Sequence, residues 1–154
     1  MIKLHKDLIT YNTLGVGKRI ISILDGDVQM NSSQMNFINS AEYRNLPKSF
    51  LPILSIEKYL LSKLVKDNNQ AFIKFLGDKY FNQRSLKSII QDYLNDERTK
   101  MKPDNSGKAF YAVLLSNLEK SGISEERFIQ YFCDDIFQLE NMTAFISQLT
   151  SLLE

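Results

Sequence analysis

The sequence is poor in the residues that most often carry nucleophilic or soft-metal chemistry. Its 154 residues include one cysteine, Cys133, and one histidine, His5. A single cysteine excludes an intramolecular disulfide and any cysteine-rich zinc site. Cys133 lies in the apolar run FIQYFCDDIF with no histidine beside it. It is therefore expected to be a small buried side chain with an inert thiol. His5 sits in a polar opening segment, so Ser-His and Cys-His catalysis have little support. No apolar run approaches the roughly 20 residues needed to cross a bilayer. The N-terminus, MIKLHKDLITYN, mixes charge with its apolar residues and has no small-residue cleavage site, unlike a signal peptide. A cytoplasmic protein with no membrane partner is the default expectation. The formal net charge is only +1, which argues neither for nor against nucleic acid.

What is present is ordinary globular composition, 44% hydrophobic and 24% charged, enough for one core of usual size. Residues 1–12 are expected to form a short helix with Ile2, Leu4, Leu8 and Ile9 on one face, broken by Leu14-Gly15-Val16-Gly17. That Gly-x-Gly precedes a strand and lacks a third glycine and a Gly-Lys-Ser/Thr ending, so it is no phosphate loop. Arg19 to Leu24 is almost wholly apolar and β-branched, which predicts a strand buried on both faces of a parallel sheet. Residues 29–48 are polar and without period, which predicts a long loop with a short helix near Gln34 to Ser40. Phe50 to Leu54 is expected to be extended, because Pro52 keeps Leu51 out of helical geometry.

Helices are expected over Ile56–Lys66 behind Ser55, Ala71–Tyr80, Ser85–Asp96 and, after the break at Lys102 to Gly107, Lys108–Lys120. Two more run from Ser124 to about Leu139 and from Thr143 to Leu153. Aromatic residues at three- and four-residue spacing in these helices are core packing rather than a ligand box. The expected class is α/β: a parallel sheet of few strands followed by a helix-rich C-terminal half.

The chemistry-bearing feature is ISILDGDV. In an extended segment Asp25 and Asp27 project to one side, and Gly26 lets the backbone bend as the strand ends. Strand C-termini of open α/β sheets are where ligands bind. Two carboxylates about 4 Å apart repel by about 4 kcal/mol at an effective dielectric near 20, so such a pair calls for a cation or a shared proton. Oxygen-only ligation suits Mg²⁺ or Mn²⁺ better than zinc. Glu57 lies in a first helical turn, where the helix dipole also favours it as plain surface charge. Lys108 opens a helix, against the dipole, which hints at a role other than helix stability.

ISILDGDV, then FLPILSIEKYLL, then SGKAFYAVLLSNL together resemble the C-terminal Toprim nuclease region of the overcoming-lysogenization-defect (OLD) family. The resemblance runs from about Lys18 to Gly122 and rests on the order and spacing of the three pieces. It implies a partial Toprim-like, Rossmannoid sheet over residues 1–122 with inserted helices, and C-terminal helices over 123–154 packed on the same domain. It also implies metal-dependent cleavage of DNA linked to an ABC-type ATPase domain or subunit and to phage defence, with a homodimer as a further partner state. Asp25 and Asp27 match the family's D-x-D metal ligands. Glu57 matches an acidic residue of the second metal position, and Lys108 a lysine facing the scissile phosphate. The family's first strand bears a glutamate, whereas no Glu precedes Asp25 here, so the chain is expected to be an N-terminally truncated piece. That departure keeps a second reading open, a helical interaction module of the same fold without catalysis. A phosphoaspartate receiver would require strands and helices to alternate after Asp27, and the run of helices argues against it.

Overall fold

The computed structural model describes residues 21–139 and 142–153. The expected opening helix, its His5, the Leu14–Gly17 turn and the Arg19–Ile20 part of the expected strand lie outside the described residues. The protein is a helix-rich α/β chain with a small parallel sheet. It divides into two compact units, Met1–Ser55 with Phe137–Glu154, and Ile56–Ile136.

In the first unit, β1 (Ser22–Leu24) leads through a 3₁₀ turn (Gly26–Met30) into α1 (Ser32–Ile38) and on to β2 (Lys48–Phe50). The strands are parallel, with Ser22, Ile23 and Leu24 opposite Lys48, Ser49 and Phe50. One face of this pair makes a core: Leu24, Val28 and Ile38 are buried, and Met35, Phe37 and Phe50 pack against them. Burying a side chain such as Leu24 or Ile38 contributes about 1.5–3 kcal/mol. Asn31 caps α1, its side-chain oxygen accepting from the Gln34 amide at 3.1 Å. On the other face Ser49 is fully buried, and its hydroxyl donates to Gln148 Oε1 at 3.0 Å. Gln148 belongs to α8 (Thr143–Leu153), which ties that helix to the sheet.

One expectation for this unit needs correcting. The first strand is not buried on both faces, since Ile23, the register partner of Ser49, is 45% exposed. Within residues 29–48 the short helix expected near Gln34 to Ser40 is present as α1, two residues earlier. The same residues hold the end of the 3₁₀ turn, all of α1 and the fully buried Ile38.

The second unit is helical throughout its regular structure: α2 (Ile56–Leu61), which runs on as a π-helical turn over Ser62–Lys66, α3 (Gln70–Tyr80), α4 (Leu86–Asn95), α5 (Glu97–Met101), α6 (Lys108–Lys120) and α7 (Glu125–Leu139, up to Ile136). The π turn closes with the Asp67 amide donating to the Ser62 carbonyl at 2.8 Å, five residues back. Asn68 follows at φ +46°, and Asn69 caps α3 through the Phe72 amide. The short α5 has no counterpart among the expected helices. It is capped by Asp96, whose carboxylate accepts from the Arg98 and Thr99 amides, and it has no buried residue, so no apolar stripe announces it.

Aromatic rings join the helices of this unit edge to face and in stacks. Tyr59 of α2 meets Phe72 of α3 at 5.9 Å and Phe132 of α7 at 6.2 Å between centroids. Phe132 stacks on Phe128 at 5.3 Å, and Phe128 meets Tyr80 edge-on at 5.2 Å. Each such pair contributes about 0.5–1.5 kcal/mol beyond its buried area. Cys133 is a further correction, because it is exposed rather than buried. On α7 the inner line runs through Phe128 and Phe132 to the half-buried Asp135, at i, i+4 and i+7. One residue past Phe132, Cys133 is turned about 100° away from that line. Its partly enclosed sulfur and the neighbouring Asp134 carboxylate push the thiol up, so it is still a weak nucleophile at neutral pH.

Asp135 is the polar anchor of α7 on α3. Its carboxylate accepts from the Tyr80 hydroxyl at 2.6 Å and from Lys79 Nζ at 2.6 Å, with only 13% of the Asp135 side chain exposed. Burial and this bond push the Tyr80 phenol well above its ordinary value. Asp135→Ala strands the Tyr80 hydroxyl and is expected to lower unfolding stability by about 2 kcal/mol, read by urea titration. A loss below about 0.5 kcal/mol would show the contact to be a dispensable surface pair.

Candidate functional site

Asp25 and Asp27 lie in the first unit, Glu57 and Lys108 in the second. Asp25 follows β1 directly, in extended geometry at φ −60° and ψ 144°. The chain then turns at once, and Asp27 falls in the first turn of the Gly26–Met30 3₁₀ helix, with the Val28 amide donating to the Asp25 carbonyl at 3.1 Å. Strand alternation therefore does not relate the two carboxylates; the tight turn does. Both aspartates are half-buried and both interact with neighbouring groups.

Gly26 makes this turn possible. Its amide donates to the Ile53 carbonyl at 3.1 Å, which carries the parallel pairing two residues beyond β1. A Cβ on Gly26 would lie 2.3 Å from the Ile53 oxygen and 2.6 Å from the Leu51 oxygen, closer than any real contact. The glycine of Asp-Gly-Asp thus lets two backbones touch where the strand ends.

In the second unit, Glu57 occupies the first turn of α2 and is half-buried. Lys108 is the first residue of α6 and is exposed. The structure brings the backbones at these two positions together through Gly107. A Cβ there would stand 2.3 Å from the Glu57 carbonyl oxygen, and φ is +77°.

The loop before Lys108 is organised by Asp104. Its Oδ1 accepts from the Gly107 amide and the Ser106 hydroxyl, each at 2.9 Å, and its Oδ2 from the Phe110 amide at 3.0 Å. Burial alone would raise the Asp104 carboxyl. The bonds from Phe110, Ser106, Gly107 and Ala109 outweigh it and hold the carboxyl below its ordinary value of 3.8. Tyr93 packs its ring at a tilt against Phe110, 4.8 Å between centroids, and reaches toward Asp104; burial and that carboxylate push its phenol up to about 12.

Two residues near Glu57 escaped sequence reasoning. Tyr111, one turn beyond Lys108 on α6, has its phenol pushed well up, first by burial, then by Glu125, which accepts its hydrogen bond, and by the charge of Glu57. Glu125 opens α7. No local signal could have paired them, because α2, α6 and α7 meet only in the folded unit. Chemically, this end of the unit sets two carboxylates around one phenol near the first turn of a helix that carries Lys108.

Among the described residues no three His, Cys, Asp or Glu side chains form a group that could hold a metal. Asp25 and Asp27 remain an all-oxygen pair, and Mg²⁺ is commonly held by one or two carboxylates with water completing its shell. Among the described residues, no helix is long and apolar enough to cross a membrane. No family model, curated protein or solved structure matches the chain.

Gly107→Ala is expected to lower stability by about 2–5 kcal/mol, combining left-handed strain with the clash on Glu57. Gly122→Ala is the control: φ is +76° there, but nothing lies within 4 Å of a Cβ, so only about 1–2 kcal/mol should be lost. Equal losses in thermal unfolding would show that the Glu57 contact is slack.

Asp104 ties stability to pH. With its folded pKa below the ordinary 3.8, its contribution is present above that pH and is lost as pH falls through the folded value. Asp104→Asn should cost about 1–2 kcal/mol at pH 7 and much less at pH 2, flattening the acid limb of the stability curve. A variant whose acid limb parallels that of the parent would assign the acid sensitivity to other carboxylates.

Proposed function

We propose that the protein is the Toprim-like domain of a metal-dependent DNA endonuclease of the kind that works with an ABC-type ATPase in phage defence. The observation that carries the reading is the position of Asp25-Gly26-Asp27 at the C-terminal end of a strand in a parallel pair, where open α/β sheets bind their ligands. The all-oxygen donor pair suits Mg²⁺ or Mn²⁺, and Asp25 and Asp27 are its ligands in this proposal. Such a metal, when bound, polarises phosphate oxygens and supplies an activated water. The family resemblance assigns Glu57 the role of an acidic ligand and Lys108 that of a cation facing the phosphate; both lie in the second unit, apart from the pair on the first. The exposure of Lys108 at its helix start agrees with a side chain meant to meet a ligand.

A non-catalytic interaction module is the second reading, favoured by the all-helical second unit with its own aromatic core. Calorimetry with Mn²⁺ on protein purified without chelator separates the two, alongside nicking of supercoiled DNA. The nuclease reading expects Mn²⁺ binding that falls by about 100-fold or more in the Asp25→Ala, Asp27→Ala double variant, with nicking lost in parallel. Cleavage that persists in the double variant overturns the reading. No Mn²⁺ binding by the parent protein favours the module.

A further inference from the structure

We draw no further inference here: the strongest candidate, the open groove between α3 and α4 bordered by Lys74, Ser85 and Lys87, joins surface lysines to a helix N-terminus without a side-chain cap, and nothing in the structure shows what fills it.

Discussion

At Gly107 the backbone of one helix start lies against the Glu57 carbonyl of another, with no room for a single further carbon. Much of the second unit's candidate chemistry depends on that approach. It holds the first turn of α6 against the first turn of α2, so Lys108 leaves a backbone already fixed against Glu57. The left-handed φ at Gly107 sets the direction of α6, and Asp104 supplies acceptors for amides that the helix start would otherwise leave open. A carboxylate is well suited to the task, because two oxygens can serve the Gly107 and Phe110 amides and the Ser106 hydroxyl together.

The first unit solves a related problem with a different glycine. A parallel pair of three-residue strands has few ladder bonds of its own. The pairing is lengthened by bonds with at least one partner outside the strands: Ser22 donates to Pro47, Leu51 to Leu24, and Gly26 to Ile53. The last of these exists only because position 26 has no side chain. The same residue that prolongs the sheet also starts the 3₁₀ turn carrying Asp27, so sheet stability and the placement of the aspartates are one constraint.

Legibility in the sequence followed the range of the forces involved. Lys108–Lys120 and Thr143–Leu153 were readable to the residue, because Asn105-Ser106-Gly107, Gly122 and the apolar spacing act within a few positions. The small parallel sheet followed by helices was readable in outline for the same reason. Ile23 was misread because β-branched character reports strand propensity, while exposure depends on what covers the face. Cys133 was misread because an apolar run around a helix does not tell which of its residues lie on the inner line through Phe128 and Phe132. At the candidate site, Asp25, Gly26 and Asp27 announced a strand end correctly, yet not the 3₁₀ turn that relates them. Tyr111 and Glu125 are separated by the rest of α6 and a turn, and only packing pairs them.

The Gly26 contact also bears on how the aspartates could be used. Carboxylates related by strand alternation would share a direction but sit on a straight backbone, free to twist with the sheet. Carboxylates related by a 3₁₀ turn sit on a backbone that reverses within one or two residues. Here it is pinned at Gly26 to Ile53 and closed by the Val28 amide on the Asp25 carbonyl. The backbone of the turn is already fixed by bonds that involve neither carboxylate, so a cation bound there would not have to order it. Preorganisation of that kind is what a weakly selective, oxygen-lined Mg²⁺ or Mn²⁺ site needs from its scaffold.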